Sequence, residues 1–311
     1  MEPFKIAIIG ECMVELQRRG VSLKQSFGGD TLNTALYLAR LADTKKLGVS
    51  YVTALGEDPF SQQMLQAWQA EGVDTHLVLR LKDKMPGLYH IETDDNGERR
   101  FFYWRSDSAA KYMFEQSEST YLIEALMTYH AVYLSGITLA ILTKQGRDTL
   151  FEVLQTFKQR GGKVFFDNNY RPLLWASKDE AEKYHREILK LTDIALLTFD
   201  DEQALFGDEK VEQCITRAKQ LGVAEVVVKQ GDKACIVVSE NGMDHISPNK
   251  VESVIDTTAA GDSFSAGYLA RRLTGGNPAQ SAIMGHKLAG EVIQHRGAII
   301  PKFATPTIDE V

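Results

Sequence analysis

The stretch VIDTTAAGDSFSAG, residues 254–267, places small residues and one acid where a β-rich run gives way to a helical pattern. A strand that leads into a helix through small residues leaves several backbone N–H groups without partners, and these groups favour an anion such as phosphate. The turn formed by Ala259, Ala260 and Gly261 is therefore a candidate anion hole. Asp262 follows in the same turn and is a candidate general base, which would take the proton of a hydroxyl group that attacks a phosphate.

A second group of polar residues follows two glycines in FGGDTLNTALYLARLA, residues 27–42. Gly29 permits a close approach of the backbone to a ligand, and the apolar spacing predicts a helix that begins at Asp30. Asp30 and Asn33 then lie one turn apart and can bind vicinal hydroxyl groups of a sugar. The alternative is that Asp30 only caps the helix while Asn33 is solvated.

Strand and helix patterns alternate along most of the chain, which predicts an α/β fold: a doubly wound, mostly parallel sheet with helices on both faces. The predicted strands are residues 5–10, 50–55, 131–135, 163–167, 194–197 and 225–229, and the predicted helices are 57–72, one helix from 135 through 160, 178–191 and 277–295. A hairpin is predicted from ACIVVS and MDHIS. We expect residues 1–311 to form a single domain.

Residues 76–106 break this alternation with three β segments, HLVLRL, GLYHIET and RRFFYWR, and DDNG is the predicted turn between the last two. Together with residues 12–27 they are expected to form a small sheet that projects from the main domain as a lid. One face of this lid would carry Tyr89, Tyr103 and Arg105.

Several polar residues fall just after predicted strands. They are Asn169, Arg171, Glu202, Lys229 and Asp262. Ligands of parallel sheets bind at the carboxyl ends of the strands, so these side chains are expected to share one crevice. Simple helix capping would also explain Asp262 and its small neighbours, but this convergence favours anion binding.

The composition excludes several classes of protein. Of 311 residues, 44% are hydrophobic and 25% charged, as in a globular protein with a full core, and the net charge of −7 argues against nucleic-acid binding. Three scattered cysteines form neither a disulfide framework nor a zinc site. Residues 125–143 are uncharged, but polar residues interrupt them, which favours a buried strand and helix over a membrane span. We expect a cytoplasmic protein.

The glycine motifs of the common nucleotide-binding folds are absent. No GxGxxG follows the first predicted strand, which argues against a dehydrogenase, and no GxxxxGK[ST] occurs in the chain. Any nucleotide must therefore be held near residue 260.

Taken together, these motifs resemble the ribokinase-like (PfkB) carbohydrate kinases over essentially the whole chain. The resemblance rests on Gly28, Gly29 and Asn33 near the start and on a DTxGAGDxF-like motif from Asp256 to Phe264. The stretches GECMVEL, PGLYHIETDDNGERRFFYWR and FDNNYRP are most similar to those members that phosphorylate a six-carbon 2-dehydro-3-deoxy sugar acid.

This resemblance implies transfer of the ATP γ-phosphoryl group to the 6-hydroxyl of the sugar acid, with Asp262 as the base. It implies sugar contacts from Gly29, Asp30 and Asn33, and contacts to the carbonyl and carboxylate end from Tyr89, Tyr103, Arg105 and Arg171. Guanidinium groups suit this end, because each can bind a carboxylate through two hydrogen bonds. Asn169, Lys229, Gly231, His286 and the 259–261 turn are implied on the nucleotide side.

The expected cofactors are ATP and Mg²⁺, with Glu202 holding the metal through water, and a monovalent cation such as K⁺ is a further candidate. Because the edges of a lid sheet invite pairing, we expect a homo-oligomer, with the lid as a pairing surface.

Two positions depart from the family pattern. Ala259 stands where glycine is usual, which predicts a negative φ there because L-residues are strained at positive φ. Phe199 replaces the Asn of an Asn-x-x-Glu motif, which leaves only Glu202 for the metal.

Two alternatives remain open. One is a kinase of a neutral, fructose- or ribose-like sugar or of a nucleoside, and the other is a sugar-binding regulator without catalytic activity.

Overall fold

A computed structural model of the chain describes residues 2–93 and 99–308. Its strands are β1 Phe4–Ile9, β2 Met13–Arg19, β3 Ser22–Gly28, β4 Leu47–Leu55, β5 Val78–Arg80, β6 Leu88–Thr93, β7 Arg99–Trp104, β8 Ala131–Ser135, β9 Lys163–Asp167, β10 Ile194–Thr198, β11 Glu225–Lys229, β12 Cys235–Ser239 and β13 Gly242–Ile246. Its helices are α1 Asp30–Leu41, α2 Pro59–Ala70, α3 Ser119–Leu126, α4 Gly136–Ile141, α5 Lys144–Gln159, α6 Lys178–Leu189, α7 Phe199–Phe206, α8 Val211–Gln220, α9 Ala260–Leu273 and α10 Pro278–Val292. The predicted DDNG turn, residues 94–97, lies outside the described residues.

The main sheet has nine strands in the order β13-β12-β11-β10-β9-β8-β1-β4-β5. All neighbours are parallel except at β12 and β13, which form the predicted hairpin. Helices cover both faces of the sheet, and each face carries one apolar core. The central strands are buried on both sides, which agrees with their apolar sequences. The predicted fold class is confirmed.

The parallel register brings the carboxyl ends of β1, β9, β10 and β11 to one edge of the sheet. Asp167, Thr198 and Lys229 are the last residues of three of these strands. The predicted helix from 135 through 160 is divided into α4 and α5. The division follows from capping, since the Thr143 side chain accepts a hydrogen bond from Gly146 N and starts a new helix there.

The lid is a separate four-stranded sheet in the order β3-β2-β6-β7. It contains the predicted segments 12–27, GLYHIET and RRFFYWR, but not HLVLRL. That segment supplies β5, which pairs with β4 at the edge of the main sheet. The prediction for HLVLRL was wrong because Leu77, Leu79 and Leu81 bury their side chains in the main core, a contact that strand alternation cannot reveal.

Residues 125–143 contain the end of α3, then β8 and α4. This arrangement agrees with the predicted buried strand running into a helix. Within residues 2–93 and 99–308, no helix is both long enough and apolar enough to cross a bilayer.

Helices α9 and α10 pack closely through glycines. A Cβ atom at Gly267 would lie 2.8 Å from Met284 O, whereas one at Gly290 would meet only Val251 Cγ2, at 3.5 Å. The helix pair can therefore accept a methyl group at one glycine but not at the other.

We expect Gly267→Ala to lower the free energy of unfolding by about 1–3 kcal/mol, the usual cost of overpacking. Gly290→Ala is the matched control and should raise it by about 0.5–1 kcal/mol, because Ala is the better helix former. Urea denaturation of the two variants measures both values. Equal effects would contradict the close packing of α9 on α10.

Candidate functional site

A cleft of about 800 Å³ lies between the lid and the carboxyl edge of the main sheet. It brings together most of the residues that the sequence singled out. Those that line it are Gly29, Asp30, Asn33, Tyr89, Tyr103, Arg105, Asn169, Arg171, Lys229, Ala259, Ala260, Gly261 and Asp262.

Helix α9 begins at this cleft through a tight turn. Ala260 N donates to Thr257 O (3.2 Å), and Ser263 N donates to Ala259 O (2.8 Å). Ala259 has φ 62°, so the predicted negative φ was wrong. The turn enters the helix without a spacer residue and requires the left-handed conformation, which costs about 1–2 kcal/mol for an L-residue. Strain of this kind is typical of functional sites.

The β-rich run that was predicted to lead into this turn does not form a strand. Residues 247–257 have no regular secondary structure, and this segment passes over the end of α10, where Ile255 N and Asp256 N donate to Ile293 O. The prediction failed because the apolar residues Val254 and Ile255 are half exposed and not buried in a sheet.

Asp262 occupies the first turn of α9, and its side chain enters the cleft. Asn33 Nδ2 donates to Asp262 Oδ2 at 2.8 Å. Burial and the nearby Asp30 carboxylate raise the pKa of Asp262 to about 7, although the Asn33 hydrogen bond and the Lys229 charge oppose the shift. A carboxylate with this pKa can accept a proton efficiently at neutral pH.

Lys229 is a buried cation beside the α9 turn. Its Nζ donates to Asp167 Oδ2 (2.7 Å) and to Ser265 Oγ (3.2 Å), and it would lie 3.7 Å from a Cβ atom at Gly261. An ammonium group has three N–H donors. Two are used by these partners, so the third is available for an anion held at the turn.

Asn169 also adopts a positive φ, 22°. The Asn168 side chain holds this turn by accepting from Asn169 N (2.9 Å) and Thr198 N (2.9 Å). The turn directs Asn169 Nδ2 to Asp30 Oδ2, at 2.7 Å. At Gly29 the neighbouring chain is so close that a Cβ atom would lie 2.2 Å from Glu11 O, which explains the glycine before Asp30.

The lid contributes three side chains to the cleft. Tyr89 and Tyr103 are cross-strand neighbours on the face that lines it, with ring centroids 5.8 Å apart. Arg105 follows β7 and forms an ion pair with Glu11, which is only 2% exposed. Because burial raises the pKa of Glu11 and the Arg105 charge lowers it, each group depends on the other for compensation.

Arg171 is much less constrained than Arg105. Its side chain is 52% exposed, Nη1 donates to Tyr170 O at 2.8 Å, and the contact to a carboxylate is a long one, 3.4 Å from Nη1 to Asp201 Oδ1. Asp201 also lines the cleft, and burial raises its pKa to about 6 although the Arg171 charge acts in the opposite direction. Arg171 can therefore turn to a ligand at little cost.

Three predicted site residues lie outside this cleft. Glu202 is 1% exposed, and its oxygens accept from Asn168 Nδ2 (2.9 Å) and Arg217 Nη2 (2.6 Å). The prediction that Glu202 shares the crevice was wrong. A buried carboxylate requires a cationic partner, and Arg217 on α8 provides it.

His286 and Gly231 are the other two. His286 Nε2 lies 2.9 Å from Ile246 O, and its ring packs edge-on against Phe264. Gly231, with φ 64°, forms the turn after β11. Their roles on the nucleotide side stay predictions.

Sequence reasoning missed four acidic residues near the cleft: Glu11, Asp167, Asp200 and Asp201. Asp167 and Asp201 follow the rule that was applied to their neighbours, because each stands at or just after the end of a strand. Nothing in the sequence pairs Glu11 with Arg105, 94 residues later.

Comparisons with known proteins relate the whole chain to one family. The family model "pfkB family carbohydrate kinase" matches residues 4–305. The 2-dehydro-3-deoxygluconokinases of Escherichia coli K12 and Dickeya dadantii are 54% and 51% identical to the chain, covering 97% of it and 99% and 98% of their own lengths. A crystal structure of a putative ribokinase II from E. coli with ATP and Mg²⁺ has a TM-score of 0.81 at 21% identity, covering 99% of this chain and 97% of that one. The chain thus belongs to the pfkB family of carbohydrate kinases.

Proposed function

We propose that this protein transfers the γ-phosphoryl group of ATP to the 6-hydroxyl of 2-dehydro-3-deoxygluconate, giving 2-dehydro-3-deoxy-6-phosphogluconate and ADP. The observation that carries the proposal is the position of Asp262, in one cleft with the α9 N-terminus and with Arg171, whose contact to a carboxylate is long and whose side chain is 52% exposed. The similarity to 2-dehydro-3-deoxygluconokinases over nearly the full length supports the choice of acceptor.

In this proposal Asp262 takes the proton of the 6-hydroxyl while the oxygen attacks the phosphorus. The amide groups of the 259–261 turn and the Lys229 ammonium stabilise the negative charge of the transferred group. Asn33 holds the Asp262 carboxylate in place through the 2.8 Å hydrogen bond. Asp30, oriented by Asn169, accepts hydrogen bonds from the sugar.

The acid end of the sugar is assigned to Arg171 and the lid. Arg171 is free to form two hydrogen bonds with the carboxylate, and the Tyr89 and Tyr103 rings form the adjacent wall. Arg105 is already bound to Glu11, so it supplies positive charge from a fixed position.

Charge explains the need for Mg²⁺. The cleft is lined by five carboxylates (Asp30, Asp167, Asp200, Asp201 and Asp262) against three cations (Arg105, Arg171 and Lys229). ATP and a sugar acid add more negative charge, which bound Mg²⁺ would offset. Mg²⁺ with a nucleotide usually takes only one or two protein carboxylates. Asp200 and Asp201 fit this requirement, although no group of three metal-binding side chains occurs within residues 2–93 and 99–308.

We also propose that the protein is cytoplasmic and that it uses a monovalent cation such as K⁺. Rates in potassium and in tetramethylammonium salts at constant ionic strength test the cation.

The main prediction concerns Asp262→Asn. We expect kcat to fall about 10²–10⁴-fold, the usual contribution of a positioned base, while ATP affinity stays within a factor of two. ADP release with 2-dehydro-3-deoxygluconate measures kcat. Asp244→Asn, on the exposed strand β13, is the matched control and should keep full activity.

The same assay distinguishes the alternatives. Faster turnover of fructose, ribose or a nucleoside would identify a different acceptor, and sugar binding without any ADP release would indicate a regulator. Unchanged turnover in Asp262→Asn would remove Asp262 from the role of base.

A second prediction concerns the acid end. Arg171→Ala should raise the KM for the sugar acid by about 30-fold, equivalent to about 2 kcal/mol for a lost charged contact, and leave the KM for ATP nearly unchanged. Arg171→Lys keeps the charge but loses the planar fork, so an intermediate KM is expected.

An equal rise in both KM values would instead indicate a general distortion of the cleft. Arg105→Ala is a poorer test, because it leaves the buried Glu11 charge unpaired, at a cost of about 3–5 kcal/mol to the fold.

We also propose a homo-oligomer that pairs through the lid. Phe102 and Trp104 alternate with the cleft-facing residues of β7, so they lie on the outer face, where they are 43% and 61% exposed. Light scattering should give at least twice the monomer mass of 34.7 kDa. Trp104→Glu should then shift the protein to monomers, whereas Tyr121→Glu, on α3 and similarly exposed at 58%, should not.

A further inference from the structure

The N-termini of helices α1 and α9 meet at the cleft, and each carries an acid in its first turn. These acids are Asp30 and Asp262. Thr34 lies between the two backbones, with its Oγ1 3.2 Å from Asp30 O and 3.3 Å from Asp262 O. The contact fixes the two helix starts against each other, so two carboxylates are held in one partly closed space.

Each carboxylate is held by a neutral amide and not by a cation. Asn169 Nδ2 donates to Asp30 and Asn33 Nδ2 donates to Asp262, at 2.7 and 2.8 Å. The cations of the cleft have other partners: Lys229 pairs with Asp167, Arg171 with Asp201 and Arg105 with Glu11. Over the described ranges 2–93 and 99–308, neither Asp30 nor Asp262 has an ion-pair partner.

We propose that Asp30 and Asp262 form a carboxylate pair that holds one proton at neutral pH in the sugar-free protein, so that Asp30 sets the base strength of Asp262. Two carboxylates confined together cannot both ionise easily, and the proton that one retains makes the other a base matched to neutral pH. Asp30 therefore acts as a positioning residue through Asp262, in addition to its contact with the sugar. This inference rests on the proposed role of Asp262 as base.

The electrostatic surroundings support the pair. Burial raises the pKa of both Asp30 and Asp262, and each is raised further by Asp167 at the end of β9. Lys229 at the end of β11 lowers the pKa of Asp262, but its own charge is offset by the ion pair with Asp167.

The first test is the pH dependence of kcat/KM for the sugar acid. Asp30→Asn removes the neighbouring charge and should move the acidic limb down by about one pH unit, a tenfold change in the proton affinity of Asp262. Asn33→Ala removes a hydrogen bond to the charged form and should move the limb up. Both substitutions remove a sugar contact and raise KM, and loss of that contact alone would affect the two variants alike. Only an electrostatic role moves the acidic limb of the pH profile in opposite directions in the two variants. Shifts in the same direction, or none, would overturn the proposal.

The second test needs no substrate and no turnover. Melting temperatures are measured for the wild type, Asp30→Asn, Asp262→Asn and the double variant at pH 5 and pH 8.5. A carboxyl group whose pKa is raised by folding contributes stability that is lost as the pH rises through that pKa. At pH 8.5 each single substitution should therefore raise Tm, and the double variant should gain less than the sum. At pH 5 the increase in Tm of each single variant should be smaller, and so should the difference between the double variant and the sum of the single variants.

Asp244→Asn combined with Asp262→Asn is the control pair and should be additive at both pH values, since Asp244 lies on the exposed strand β13. Additivity of Asp30→Asn and Asp262→Asn at pH 8.5 would overturn the carboxylate pair. If the two substitutions are non-additive but Asp262→Asn keeps its turnover, the carboxylate pair stands and the proposed role of Asp262 as base is wrong.

Discussion

The hydrogen bond from Asn33 to Asp262 joins residues 229 positions apart and holds the start of α1 against the start of α9. Helix α1 brings the residues assigned to the sugar, and α9 brings the proposed base and the proposed anion-binding turn. Neither helix alone can form a site for phosphoryl transfer, because attacking and leaving groups must be held in line. The nine-stranded sheet serves this contact by fixing both helices on one of its faces, where they share an apolar core.

Gathering carboxylates at the edge of a parallel sheet has an electrostatic cost, and the fold distributes the compensation. Asp167 receives the Lys229 ammonium, Glu11 receives Arg105 and Glu202 receives Arg217. Asp30 and Asp262, which are proposed to face the substrate, receive amide donors from Asn169 and Asn33 instead. The positive φ angles of Ala259 and Asn169 are a further cost, and both occur at turns that direct groups into the cleft. The fold thus loses some stability at two positions that line the cleft.

The sequence predicted those features that depend on local patterns. Strands such as 131–135, 163–167 and 225–229 were predicted with their observed bounds because a buried parallel strand is a continuous apolar run. The convergence of Asn169, Arg171 and Lys229 followed from the rule for strand ends, whereas Asp262 lies in the cleft although the strand predicted before it is not formed. Features that depend on distant partners were not predictable: β5 joins the main sheet because of its neighbours in the core, and the ion pair between Glu202 and Arg217 depends on how α8 packs. The predicted negative φ of Ala259 was wrong, because the residue type shows that a positive φ is strained but not whether the turn imposes one.

The unequal states of the two arginines suggest how the cleft distinguishes an acid from a neutral sugar. Arg105 is compensated by Glu11 whether or not a ligand is present, and this pair joins two of the four chain connections between lid and body, those before β2 and after β7. A ligand that covers Arg171 takes its charge out of solvent, and Asp201, at 3.4 Å and with a raised pKa, compensates that charge weakly. A bound carboxylate therefore pairs the Arg171 charge, whereas a bound neutral sugar would cover that charge without pairing it. Because an unpaired buried charge is costly, specificity would come as much from the penalty on the wrong sugar as from attraction to the right one.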